Sequence, residues 1–221
     1  SDFAQGSRFL ANVTYRKEYA GFAATQVSLV WEGQSGNPYS YVYGDGDDLT
    51  GEDSRNRELV YVPRDASEIV FADAATAAQQ WERLNAFIEN DDYLSERRGQ
   101  YAERNQSRTP FENIFDLRIL QDFYLEMGNG KRNTLQLSLD IFNVGNLLNQ
   151  DWGRRYNRQF SGYELLQFVD FAADGTTPTF EYEGFDEGFD DDEAWNGDLD
   201  DAGFLSSRWQ MQFGVRYIFG N

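Results

Sequence analysis

The chain of 221 residues carries 38 acidic against 19 basic side chains, a formal charge of −19 that argues against nucleic acid, whose phosphates would repel it. It has no cysteine and no histidine, so disulfides, thiol nucleophiles, the commonest general base and the commonest transition-metal ligand are all missing. No run approaches the ~18 apolar residues of a membrane-crossing helix, and a mean hydropathy of −0.67 is neutral toward strands whose alternate side chains are polar.

Residues 8–17 open the chain as a candidate strand, with Phe9, Ala11, Val13 and Tyr15 on one face and Asn12, Thr14 and Arg16 on the other. A break at Tyr19-Ala20-Gly21 leads into residues 22–32, where Thr25, Val27, Leu29 and Trp31 oppose Gln26, Ser28 and Glu32. Two strands of about ten residues joined this tightly read as an antiparallel hairpin. Residues 33–112 break the pattern. Gly36-Asn37-Pro38 is turn chemistry before an aromatic patch, Tyr39 to Tyr43, and the segment around Asp45, Asp47 and Asp48 resembles a calcium loop in its alternating oxygens. Its spacing departs from an EF-hand, since Asn56 stands where the twelfth-position Glu belongs, so a plain acidic loop competes with a cation site. Leu59 to Pro63 reads as the end of an edge strand. Residues 74–105 form the only expected helical stretch, with Thr76 and Gln79 as a capping box and Trp81, Leu84 and Ile88 at helical spacing.

Alternation returns over residues 113–125, where Phe115, Leu117, Ile119 and Phe123 oppose Asp116, Arg118 and Asp122, with Leu120 breaking the polar side. The turn at Met127-Gly128-Asn129-Gly130 leads to residues 133–143, in which Leu135, Leu137, Leu139 and Ile141 oppose Gln136, Ser138 and Asp140. A second excursion, residues 144–206, holds a strand pair near 163–171 and 179–182, then eleven acids and no base between Glu181 and Asp201. Asp190, Asp191 and Asp192 lie there as cation-ligand candidates against the alternative of a solvated loop. Residues 207–219 close the chain: Trp209, Met211, Phe213, Val215, Tyr217 and Phe219 share one face and Gln210, Gln212 and Arg216 the other.

Five strands of about ten residues, joined alternately by tight links and by excursions of more than sixty residues, fit two environments. In a soluble sandwich the apolar face covers a core. In an outer-membrane barrel it meets lipid and the polar face a wet lumen. Aromatics near both ends of the last strand, and the segregation of short from long loops, match the girdles, periplasmic turns and extracellular loops of the barrel. The lumen-facing candidates are then Asn12, Arg16, Gln26, Ser28, Arg118, Gln136, Ser138, Gln210 and Arg216.

Asn113 to Arg118, Leu137 to Asn149, Gly36 to Tyr41, Tyr61-Val62-Pro63 and the final strand together resemble the C-terminal part of TonB-dependent outer-membrane receptors, most closely the Oar-like branch of Bacteroidota. Gln212, Gly214, Tyr217 and Phe219 look like the signal read by the barrel-assembly machinery, although Gly220 and Asn221 extend past the usual terminal aromatic. The resemblance implies an all-β membrane fold: about the last five strands of a 22-stranded transmembrane β-barrel, with a helical insertion in one extracellular loop. It implies outer-membrane location, contact with lipid, and TonB acting through a plug domain that this chain does not contain. A nutrient ligand or a surface lipoprotein would be the outer partner, and Ca2+ in the acidic extracellular loops is the one cofactor the composition suggests. The chain, without a starting Met or signal peptide, reads as cut from something longer. Two other functions stay open: a structural or adhesive surface protein, and a soluble glycan-binding β-domain. No catalytic residue is assigned, because no acid is paired with a defined second catalytic group.

Overall fold

The structure is a computed structural model that describes residues 6–44, 49–50, 58–128, 130–155, 162–182 and 207–220. Its strands, in chain order, are β1 (Arg8–Tyr19), β2 (Ala23–Gln34), β3 (Pro38–Gly44), β4 (Tyr61–Val62), β5 (Gln100–Tyr101), β6 (Ser107–Arg108), β7 (Glu112–Glu126), β8 (Arg132–Phe142), β9 (Gly162–Phe171), β10 (Pro178–Glu181) and β11 (Gln210–Ile218). Its helices are α1 (Ala77–Asn90), α2 (Asp92–Ser95) and α3 (Val144–Leu148), with a 3-10 turn at Ala66–Glu68. The described residues divide into two compact units. The protein is mostly β-sheet, and among the described residues no helix is long and apolar enough to cross a membrane.

The first unit, here the sheet unit, holds residues 6–36, 110–155 and 207–220. It is a five-stranded sheet in the order β1-β2-β7-β8-β11, antiparallel at every junction. Two tight turns lie at one end. Ala20 and Gly21 both adopt left-handed backbone, φ 57 and 69, which closes the first turn in three residues. The second is closed by Met127 N–H donating to Lys131 O at 2.8 Å. The strands run longer than alternation alone indicates: β2 reaches Gln34 and β7 begins at Glu112, so the first excursion shortens to residues 35–111, of which 37–109 belong to the second unit.

The second unit, the excursion unit, is assembled from both long excursions. Its sheet runs β10-β9-β3-β6, and β3 of the first excursion lies parallel to β9 of the second. The residues expected as an aromatic patch in a loop therefore form a fully buried central strand. Tyr39, Tyr41 and Tyr43 share one face of β3. They pack with Phe87 of α1, Tyr163 and Phe168 of β9 and Phe180 of β10 in one core with Leu84, Ile88, Val60 and Val62. Neither excursion supplies this core alone. Helix α1 buries Gln80, Leu84, Phe87 and Ile88, and the Gln80 side chain accepts from Tyr182 N–H at 2.8 Å, joining the first excursion to the second.

Three expectations are corrected. The capping box does not form: the Thr76 hydroxyl donates to Asp73 and accepts from Gln80, leaving Gln79 outside the network. The 74–105 stretch is not the only helical one, because Val144–Leu148 forms α3 and Ala66–Glu68 a 3-10 turn. Leu120 is not alone in breaking the polar side of β7, since Ile114 lies on that face by register. The strand pair of the second excursion is antiparallel, β9 with β10.

Charge separates along the same division of the sequence. Residues 37–109 and 156–206 hold 29 acids and nine bases, a net −20, and the rest of the chain nets +1. Within the excursion unit the tyrosine core is buried: Tyr41 donates to Asp91 and meets Tyr39 at 3.1 Å. Burial first, then the neighbouring Tyr39 and Asp91, hold the Tyr41 phenol well above its ordinary range. Burial likewise pushes Tyr43 and Tyr182 up to about 12.

Candidate functional site

The feature with chemical consequence is the pair of faces on the sheet unit. Register carries single rows of side chains across all five strands. Tyr15, Val27, Ile119, Leu139 and Phe213 make one row, and Val13, Leu29, Leu117, Ile141 and Met211 the next. Nothing in the unit covers this face at its edges: Val13 is 69%, Phe213 66% and Val215 63% exposed. A contiguous apolar surface of this extent in water is a liability that monomeric soluble proteins avoid.

Aromatics gather at both ends of the apolar face. At the end away from the tight turns, the distal end, Phe9, Trp31 and Phe115 stack across β1, β2 and β7 with centroids 6.5 Å apart at each step. Trp31 lies over Gly33, where a Cβ would come within 2.5 Å of the indole, and its Nε1 donates to Asn113 Oδ1 at 3.1 Å. At the turn end stand Tyr19, Phe123 and Tyr217, with Phe219 packed edge-on against Tyr217 at 4.5 Å.

Polar residues also stand on the apolar face, among them Lys17, Thr25, Asn113 and Gln121, and the sequence reading passed over Gln121. Gln121 lies in the row of Lys17, Thr25, Leu137 and Val215. Its Oε1 accepts from the Tyr19 and Thr25 hydroxyls at 2.9 and 2.6 Å, and its Nε2 donates to the carbonyls of Ala24 and Asp122, each at 3.1 Å. All four hydrogen bonds of the amide are thus made within the protein. That is the condition for a polar group facing an apolar medium.

On the opposite face, register brings together all nine sequence-derived candidates, Asn12, Arg16, Gln26, Ser28, Arg118, Gln136, Ser138, Gln210 and Arg216. Thr14 donates to Ser28 at 3.0 Å, and Arg118 Nε meets Asp140 at 3.2 Å. Arg16 Nη1 lies 3.0 Å from Asp122, whose carboxylate also accepts from Gln136 Nε2 at 2.9 Å, and Arg16 donates to the Tyr124 hydroxyl. Asp122 and Asp140 were placed on this side from the sequence, but their partners were not, because ion pairs across strands depend on register. Of the four assembly-signal positions, Gln212 and Gly214 take the polar face and Tyr217 and Phe219 the apolar one. Gly214 leaves room for Ser138, whose hydroxyl would stand 2.5 Å from an added Cβ.

At the distal end of the polar face, residues sequence reasoning did not single out form a second network. Arg8 pairs with Glu32 at 2.7 Å, Gln34 Nε2 donates to Glu112 at 2.7 Å, and Arg155 reaches both acids at 3.8 Å. Glu112 is 3% and Ile114 8% exposed. Among the described residues no group of three acidic side chains is placed to hold a metal ion. Asp45, Asp47, Asp48, Asp190, Asp191 and Asp192 lie outside the described residues.

Comparison with protein-family models, with curated proteins and with solved structures found no match for this chain.

Proposed function

We propose that the sheet unit is part of the wall of a transmembrane β-barrel in a bacterial outer membrane, of the TonB-dependent receptor class, and that the excursion unit is its surface domain. The supporting observation is the apolar face, in register across five antiparallel strands, exposed along its edge strands β1 and β11 and bounded by aromatics. From Phe9 to Tyr19 is eleven residues, ten rises or about 33 Å of strand. At a tilt of ~40° that amounts to about 25 Å along the membrane normal, the height of a barrel's apolar band. The self-satisfied Gln121 amide fits the same environment. Five strands close no barrel, so on this reading β1 and β11 pair with further strands of a 22-stranded wall, and a plug domain elsewhere in the molecule couples uptake to TonB. The polar face, rich in Gln, Ser and paired Arg and Asp, is then the lumen wall along which a polar nutrient passes.

The test is extraction and uptake. The full-length protein should resist alkaline carbonate extraction, need detergent for release, and support TonB-dependent uptake of its solute. A chain that stays soluble and monomeric without detergent overturns the barrel. A second reading, a structural or adhesive surface protein, is favoured by one observation: the two excursions build a folded domain with its own core rather than separate lids. A membrane-embedded protein whose loss leaves every TonB-dependent uptake unchanged would decide for that reading.

A further inference from the structure

Residues 143–155 leave β8, turn through α3 and come back to the distal end of the polar face. Asn143 starts the segment in left-handed backbone, φ 53, and its N–H donates to Asp116 Oδ1 at 2.8 Å. Helix α3 packs on β7. Trp209 N–H, just before β11, donates to Asn146 Oδ1 at 3.3 Å, and the segment is otherwise closed on itself: Asn143 Nδ2 donates to Gly153 O at 2.8 Å, Asn146 Nδ2 to Gln150 O and Trp152 O at 2.8 and 3.0 Å, and Arg154 pairs with Asp151 at 2.7 Å. A loop closed by its own hydrogen bonds moves as one piece.

Its far end is fastened differently. Arg155 N–H donates to Ser207 Oγ at 3.0 Å, and the guanidinium spans Glu32 on β2 and Glu112 on β7. Both ionic contacts are 3.8 Å, beyond hydrogen-bond length, and each acid has a closer partner, Arg8 for Glu32 and Gln34 for Glu112. The Arg155 Nε is buried and makes no hydrogen bond. One cation shared at 3.8 Å by two already engaged carboxylates is a geometrically loose fastening, and its release leaves Glu112, only 3% exposed, held by Gln34.

We propose that residues 143–155 are a strap over the distal end of the polar face, latched by Arg155 and able to lift without disturbing the sheet. The latch needs only the geometry above. Its role as a gate over the lumen rests on the barrel reading. Lifting the strap takes Arg155 away from Glu32 and Glu112, the two carboxylates it spans, which would then face an incoming solute.

The experiment uses the full-length protein in its native membrane and two variants, Arg155→Met and the double variant Glu32→Gln with Glu112→Gln. Trypsin cleavage after Arg154 and hydrogen exchange of residues 144–155 report the strap; exchange of β7 and β8 reports the sheet. Both variants should raise cleavage and strap exchange by at least roughly tenfold, because each removes the ionic part of a latch seated on a buried carboxylate, with β7 and β8 as protected as before. Unchanged strap rates overturn the proposal. So does loss of protection in β7 and β8 in both variants, because Arg155 would then pin the sheet itself; if only one variant loosens the sheet, the other decides. Failure of the barrel reading would show separately, as extraction by carbonate with the latch behaving as described.

Discussion

Leu139 stands in the middle of the apolar face, with Ile119 on one side of its row and Phe213 on the other. Its neighbour Ser138 points to the polar face, so the pair tests the two environments one residue apart. On the barrel reading, with this row near the bilayer midplane, Leu139→Arg should destabilise the protein by about 2–4 kcal/mol. Ser138→Arg should cost little, though it must displace its side chain from Gly214. Urea titration of the reconstituted protein measures both, and equal effects would contradict the sidedness. Gly153 offers a second residue-scale prediction. Its φ is +66, and an added Cβ would run into the Asn143 amide. Gly153→Ala should therefore cost at least the ~1–2 kcal/mol of left-handed backbone, read as faster hydrogen exchange in residues 143–155. The periodicity of β8 revealed which way Leu139 points. Nothing local revealed the Asn143–Gly153 contact, because it joins residues ten apart through a turn with no repeating pattern.

At the scale of elements, α1 and β3 carry the excursion unit. Leu84→Ala on α1 should destabilise it by about 2–5 kcal/mol, seen as loss of near-ultraviolet tyrosine signal at lower denaturant. The tyrosine core also sets a response to base. Tyr41, Tyr43 and Tyr182 have folded pKa values raised above 10, so between 10 and their folded values the unfolded chain releases protons that the folded chain keeps. These three tyrosines leave stability unchanged below pH 10 and lower it as pH rises from 10 toward 12 and beyond. Absorbance at the tyrosinate band should show these three titrating together with unfolding, and a smooth titration near 10 would contradict their burial. At the acid end, hydrogen bonds from Thr177 and Thr176 lower Asp174 from 3.8 to about 2. Its turn is supported above pH 3.8 and loses that support as pH falls through 2. Strands β1, β2, β7, β8 and β11 were legible because in each one face is predominantly apolar and the other predominantly polar. Strand β3 was not, because Tyr39 to Tyr43 are buried on both sides and show no alternation of polarity. Its parallel pairing with β9, more than a hundred residues on, has no local signal.

For the whole molecule, the two excursions act as one folded body rather than as independent lids, since β3 and β9 share a sheet and Tyr41 and Phe87 pack on Tyr163. Deleting residues 162–182 should unfold residues 37–109 along with them while leaving the five-stranded sheet protected from exchange; survival of the α1 signals would contradict the shared core. The five strands and the nine polar-face positions could be read from the sequence, whereas the folding of the excursions could not. The central claim is the environment of the sheet's two faces. Spin labels placed singly at residues 210 to 217 of the full-length protein in bilayers measure it most directly, by collision with oxygen, which concentrates in lipid, and with a water-soluble nickel chelate. The account predicts oxygen contact at 211, 213, 215 and 217 and nickel contact at 210, 212, 214 and 216, alternating without a break. Nickel contact at every position, or protection of the odd positions from both reagents, would contradict it.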